Sequence, residues 1–376
     1  MTKILILTAG FGEGHNAAAR NLAAAVTSLA GPGSAPVADL FALASPQTNR
    51  AARRAYLAAI NGAPKLWNAF YVWVDRHRIF PRHLWLLRAE SSMLQALLRR
   101  EQPSVVCSTF PVYGFLLERL ARAGRLTSQF YNVVTDSISI NSLWTRPACT
   151  GWFVPNEETA EVMRGMGAPS ARLHILGFPV PAFFQEHAGE LFPPDLAAGA
   201  APRVLYIVHS GVRNAWAIAR RLLAESDLEL TFAVGRDEHL RRRLEALAAG
   251  RARPAHVLGW TDEVPRLLMT HHVVISKAGG ATTQEAIAAR CPMLVNQIVP
   301  GQEEGNYELL RRRHAGVLVE TPEAAVAALR KAFAGRGAVW RGWRDALAPL
   351  ARPDASRRIA EHLLERAAAA VAIVAA

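Results

Sequence analysis

Cysteine is scarce in this chain. There are three in 376 residues, Cys107, Cys149 and Cys291, far apart and odd in number. That excludes a disulfide framework and any zinc-finger spacing, and it suits a reducing compartment. Acidic residues are outnumbered, 31 against 43 lysines and arginines, and the net charge is +12. Such a balance speaks of partners rather than of fold: nucleic acid, an anionic membrane surface and a phosphorylated ligand are all admissible. Long apolar runs are missing. The tail "AAAAVAIVAA" is far below the ~20 residues that span a bilayer. "MTKILILTAG" has one basic residue and a glycine loop directly behind its apolar run, so it reads as a first strand and not as a signal peptide. No solenoid-period repeat occurs. No Lys-Ser/Thr follows the first glycine loop, which excludes a P-loop, and its spacing is not G-x-G-x-x-G. No D-x-D pair sits at a strand end, so no metal is expected at a diphosphate.

Apolar residues, by contrast, make up 51% of the chain, and single cores stop growing near ~250–300 residues, so two domains are expected. Short β-branched runs alternate with longer helical patterns. Candidate strands are 4–7, 104–107, 130–134, 152–154 and 173–176, then 204–208, 230–234, 256–258, 273–276, 293–296 and 317–319. Many are apolar throughout rather than alternating, as parallel strands covered on both faces are. The pattern predicts an α/β fold of two doubly wound domains facing across a cleft. A stretch rich in Pro, Gly and Ala within 178–202 reads as a linker. The expected division is an amino-terminal acceptor and membrane-binding domain over 1–180, a linker over 181–202 and a ligand-binding domain over 203–350. A helix in 351–376 is expected to pack back on the first domain.

In "ILILTAGFGEGHNAAARNLAAAV" a strand gives way to Gly10, Gly12 and Gly14, then His15 and Asn16 at a helix mouth. Backbone N–H groups and a positive helix end meet there, which suits phosphate or another electron-rich group. Two readings are open for His15: an exposed helix-start residue behind a tight turn, or a base of near-neutral pKa aimed into the cleft.

The segment from His271 to Leu310 holds the densest pattern. A strand ends near Ser276, Gly279 and Gly280 open the turn, Thr282 or Thr283 is placed to cap, and a helix carries Glu285. N–H groups at such a helix start suit a diphosphate, and a carboxylate some five residues in can accept from both ribose hydroxyls. Gln302, Glu303 and Asn306 in "PGQEEGN" offer polar groups to a sugar ring. Another strand ends before "VHSGVRNAW", where Gly211, Arg213 and Asn214 open a helix, and an arginine there can neutralise a leaving diphosphate. That loop is no serine-hydrolase elbow, since G-x-S-x-G would need glycines at Val208 and Val212.

Residues 50–100 carry ten basic side chains against Asp75 and Glu90, interleaved with aromatics. Trp67, Phe70, Tyr71 and Val74 share one helical face. With Arg76, Arg78 and Arg82 they suit an anionic bilayer surface; an ordinary helix pair with core aromatics and solvated arginines is the other reading. No recognition motif accompanies the charge, which counts against nucleic acid.

"GFGEGHNAAA", "SKAGGATTQEA" and "VPGQEEGN" resemble the monogalactosyl- and glucosyl-diacylglycerol synthases of glycosyltransferase family 28, and "FYNVVTD", "WFVPNEET" and "RLHILGFPV" resemble that family's amino-domain segments. The resemblance covers most of the chain. It implies a GT-B fold, a lipid acceptor on the amino domain, a UDP-sugar on the carboxyl domain, inversion at the anomeric carbon and peripheral attachment to the inner face of the cell membrane. It implies no cofactor, the UDP-sugar being a substrate. It also implies backbone contacts to uracil at Gly259 and Trp260; a packed aromatic is the other reading of Trp260. Departures are local. "TDSISINSLW" has Asn141 where the family usually offers a histidine, with one extra residue between Asp136 and Trp144, and Thr150 replaces a usual acid. His15 and Asp136 are therefore the two candidates for the base, with Gly12, Gly14, Asn16, Asn141 and Trp144 around the acceptor. Transfer of GlcNAc to another lipid-linked or soluble acceptor is a further reading, as is a nucleotide-sugar epimerase or binding protein of the same fold.

Overall fold

The computed structural model describes residues 3–62, 73, 76, 83–208, 214–301 and 303–375. Twelve strands form two wholly parallel six-stranded sheets among these residues. The first holds β1 (Ile4–Thr8), β2 (Val37–Asp39), β3 (Val105–Ser108), β4 (Gln129–Val133), β5 (Gly151–Val154) and β6 (Leu173–Ile175), in the order β2-β1-β3-β4-β5-β6. The second holds β7 (Arg203–Ile207), β8 (Glu229–Ala233), β9 (Ala255–Leu258), β10 (Val273–Lys277), β11 (Met293–Gln297) and β12 (Gly316–Leu318), in the order β12-β11-β10-β7-β8-β9. In each sheet the winding direction reverses once, between β1 and β3 and between β7 and β10. Helices splay apart at such a point, and the carboxyl ends of the strands there open a crevice.

The chain divides into two compact units. One comprises Met1–Ala182, Pro300–Gly305 and Asp354–Ala376; the other comprises Phe183–Val299 and Asn306–Pro353. The stretch 181–202 read as a linker contains the boundary between the two units, at Ala182 and Phe183, and is mostly exposed or half-buried. Phe184 and Leu196 are buried, Leu196 in the second unit's core, where each is worth ~1.5–3 kcal/mol when removed from water, while Phe192 is exposed.

In the first unit, β1 is buried along its whole length. Ile4, Ile6, Cys107, Tyr131 and Phe153 line one face of the sheet, with Ala19, Leu22 and Val26 of helix Glu13–Ala30 and Ile359, Ala360 and Leu363 of helix Ala355–Ala375 packed over them. Leu5, Leu7, Val106, Trp152 and Val154 line the other face. No helix among the described residues is long and apolar enough to cross a membrane. All three cysteines are buried and free. Burial pushes the thiols of Cys149 and Cys291 up to about 12 and Cys107 higher still, so none is a thiolate nucleophile at neutral pH.

Candidate active site

The first unit's switch point carries His15. After Thr8 the chain turns through Gly12, whose φ of 112° and ψ of 141° lie outside the regions open to L side chains. Helix Glu13–Ala30 starts there with no side-chain cap. The Gly10 N–H donates to Asp39 Oδ2 at 2.9 Å, and Thr8 Oγ1 donates to Asn16 Oδ1 at 3.0 Å. Asn16 thus ties strand to helix, and Gly14 occupies the helix's first turn.

His15 Nδ1 lies 2.7 Å from the Thr109 carbonyl oxygen and 3.0 Å from Thr135 Oγ1. A carbonyl only accepts, so the ring proton sits on Nδ1 and the neutral imidazole carries its lone pair on Nε2. Thr109 Oγ1 donates back to the His15 carbonyl at 3.0 Å, closing a second link between the end of β3 and the helix start. Phe110 stands edge-on to the imidazole, at 5.2 Å between ring centroids, and Trp144 lies at 6.3 Å. Asp136 follows the carboxyl end of β4. Its Oδ2 accepts from Trp144 Nε1 at 3.0 Å, while the fully buried Trp144 accepts at its own carbonyl from Trp152 Nε1 at 2.7 Å.

Desolvation dominates both titrations. It holds the His15 imidazole below its ordinary pKa, against an opposing pull from the Asp136 charge and the Thr109 carbonyl. It raises the Asp136 carboxyl, against the pull of His15 and the Trp144 N–H. The pair is thereby biased toward a neutral imidazole, the form a base requires. Asn141 is turned inward. It is buried, and its Oδ1 accepts from the Leu143 N–H at 2.9 Å as the cap of a short turn. Thr109 and Thr135, which orient the imidazole, were absent from the sequence-based set; the one available signal is a threonine just past a strand end.

In the second unit, Gly279 is the N-cap of helix Gly280–Ala288 and no side chain caps it. The expectation that Thr282 or Thr283 caps is corrected: Thr283 is buried with its hydroxyl 3.8 Å from the Met293 sulfur, and Thr282 lies beyond the cap position. A helix start without a side-chain cap is what an anion-binding site needs. Glu285 sits in the same helix, partly buried. Asn306 is buried, and its Nδ2 donates to the Ala278 carbonyl at 2.9 Å, bracing the turn before Gly279. Trp260 is 69% exposed, so it is not a packed aromatic; it follows Gly259 beyond β9. Asn214 caps helix Ala215–Leu223 in a left-handed conformation, with Nδ2 3.3 Å from the Glu320 carbonyl.

Glu303 is buried and belongs, with Pro300–Gly305, to the first unit. Gly211, Arg213 and Gln302 lie outside the described residues, as do Trp67, Tyr71, Arg78 and Arg82. Arg76 is exposed, and so are Trp73, Trp85 and Leu86 in the same part of the chain.

Residues 15–180 match the family model for monogalactosyldiacylglycerol (MGDG) synthase. A processive diacylglycerol beta-glucosyltransferase of Bacillus cytotoxicus is 26% identical over 369 residues, spanning 96% of this chain and 93% of that one. Among solved structures, MurG of Acinetobacter baumannii aligns with a TM-score of 0.61 at 13% identity, over 97% of this chain and 100% of that one. A UDP-GlcNAc 2-epimerase of Neisseria meningitidis, solved with UDP-GlcNAc, aligns at 0.56 and 11% identity over the same shares, 97% and 100%. Two Rossmann-like units with these sheet orders are the GT-B architecture, and the chain is a glycosyltransferase of that class. The likeness to the glycosyl-diacylglycerol synthases runs over residues 15–180 in the family model and, at 26% identity, over nearly the whole chain in the Bacillus relative.

Proposed function

We propose that the protein transfers a hexose from a UDP-sugar to the hydroxyl of a diacylglycerol-type lipid, with inversion at the anomeric carbon. The observation that carries this reading is the His15 imidazole: Nδ1–H is committed to Thr109, which leaves the Nε2 lone pair free at the switch point of the first sheet. An alcohol is a poor nucleophile at neutral pH. Nε2 takes its proton as the oxygen attacks the anomeric carbon and the bond to UDP breaks. Asp136, steadied by Trp144, orients the acceptor and stabilises the imidazolium that forms. Gly12 brings the backbone close to the acceptor at that point.

On the second unit, the helix start at Gly280, which has no side-chain cap, receives the departing diphosphate charge, and Arg213 is assigned as the cation that neutralises it. Glu285 accepts from the ribose hydroxyls, Gly259 and the exposed Trp260 hold the uracil, and Gln302 with Glu303 bind the sugar. Asn306 supports them by fixing the glycine turn. These groups supply the charge stabilisation a metal would otherwise bring, and the reaction as proposed uses no cofactor. The acceptor is membrane-bound, so the segment containing Trp67, Tyr71, Arg76, Arg78 and Arg82 rests on an anionic bilayer at the inner face of the cell membrane, at ~1 kcal/mol per basic residue.

The test is incubation with diacylglycerol-containing vesicles and radiolabelled UDP-glucose, UDP-galactose or UDP-GlcNAc, followed by extraction into organic solvent. Label in the organic phase, with its anomeric configuration inverted, is the expected result. Label confined to water, with an isomerised UDP-sugar, would replace the reading by epimerisation.

A further inference from the structure

The backbone at Gly305 approaches the turn after Asp136 more closely than any side chain permits. A Cβ at Gly305 would lie 1.8 Å from the Ser137 carbonyl oxygen and 2.3 Å from the Ser139 nitrogen. Both are backbone atoms, so no side-chain rotation relieves the overlap. The turn itself is tight and strained. The Ser139 N–H donates to the Ser137 carbonyl at 2.6 Å and the Ile140 N–H to the Ile138 carbonyl at 3.0 Å, each bond spanning a single intervening residue. Ile138 holds a φ of 54°, a conformation that β-branched residues seldom adopt. It is fastened from its far side. The Ile138 N–H donates to Thr159 Oγ1 at 3.1 Å, and that hydroxyl donates to Asn156 Oδ1 at 2.8 Å, in the cap of helix Glu157–Gly165.

We propose that the Ser137–Ser139 turn is a rigid stop against which Gly305, in the first turn of helix Glu304–Arg312, seats, setting the distance from the buried Glu303 just before that helix to Asp136. Gly305 and Ile138 are then positioning residues for the transfer. Resting on the reading above, in which Glu303 holds the sugar and Asp136 faces the acceptor, the stop sets how far apart donor sugar and acceptor are held. The strain has a use in this account: a turn locked at Ile138 yields less when the helix start presses on it. All the contacts invoked lie within the first unit, to which Pro300–Gly305 belongs.

Gly305→Ala tests this, because its Cβ must drive helix start and turn apart by about 1 Å or more, a misplacement that costs on the order of 10²-fold in rate. The expected result is a kcat about 100-fold lower with the dissociation constant of UDP within about twofold of wild type, since the UDP contacts are on the other unit. Amide hydrogen exchange should rise together in 137–140 and in 300–305. Ile138→Gly is the gentler variant: it relieves the positive φ and should also loosen both segments. In the double variant the softened turn should give way to the new methyl, so kcat recovers part of its loss. Normal turnover in Gly305→Ala overturns the positioning role. Exchange that rises in 300–305 alone, in either single variant, overturns the stop. The exchange arm needs no turnover, so a failed transfer reading, seen as absent lipid-linked label with wild-type protein, is told apart from a failed stop.

Discussion

Replacing His15 with alanine removes the free Nε2 and leaves the acceptor hydroxyl without a base. General-base assistance is worth ~10²–10⁴ in rate, or about 3–5 kcal/mol of barrier at 1.36 kcal/mol per tenfold. The structure makes the loss specific to chemistry. Nδ1 is held by Thr109 and Thr135 of the first unit, neither of them a donor-binding group in this reading. So kcat should fall by ~10²–10⁴ while UDP affinity, read by calorimetry, is retained. The pH profile gives a second reading of the same group. Desolvation lowers the His15 pKa, so the ring stays neutral as pH falls through the ordinary imidazole value and is protonated only below it. The acid limb of kcat/KM should therefore lie below pH ~6.5 and fall tenfold per unit. The Asp136 charge raises the His15 pKa, so Asp136→Asn should move that limb to still lower pH, whatever it does to the plateau. A His15→Ala enzyme with turnover within about threefold of wild type would refute the assignment and pass the role to Asp136. An acid limb centred above pH ~6.5 would refute the desolvated environment.

Glu285→Ala should weaken UDP binding by ~1–3 kcal/mol through two unpaired ribose hydroxyls, measured by calorimetry; unchanged affinity removes the ribose role. Trp260→Ala should leave UDP affinity within about twofold, because the uracil contacts are the backbone's, and Tm unshifted, because the side chain is largely in solvent; a large drop in Tm would return Trp260 to packing. Reversing Arg76, Arg78, Arg82 and Arg88 to glutamate should release the protein from anionic vesicles in sedimentation, and added salt should do the same to wild type through screening. If neither change alters sedimentation, the basic segment is not a membrane contact. Activity should persist in excess EDTA, since helix N–H groups and Arg213 take the diphosphate charge; abolition by EDTA and recovery with a divalent ion would overturn the metal-free account.

Much of this protein was legible before any coordinates. Eleven of the twelve strands could be placed, to within about a residue at each end, because runs buried on both faces stay apolar through their length. The exception is β2, three residues at the sheet's edge with Val37 exposed, too short and too mixed for periodicity to register. The turns bearing Gly12 and Gly279 were legible too, since a strand, a glycine and a helix start form a local pattern. What joins in space residues distant in sequence was not. Thr109 and Thr135 reach His15 across 94 and 120 positions and choose its tautomer. Asn306 looks like a sugar ligand in "PGQEEGN", and its amide Nδ2 also braces Ala278 across 28 positions. Gly305 reads as one more loop glycine until Ser137 is found against it. Hydrophobic period and turn chemistry are properties of neighbouring residues, so the sequence alone determined the elements and the glycine turns. Which side chains meet at the ends of parallel strands depends on the strand order, and that order came from packing two apolar faces at once, which only the tertiary structure decided.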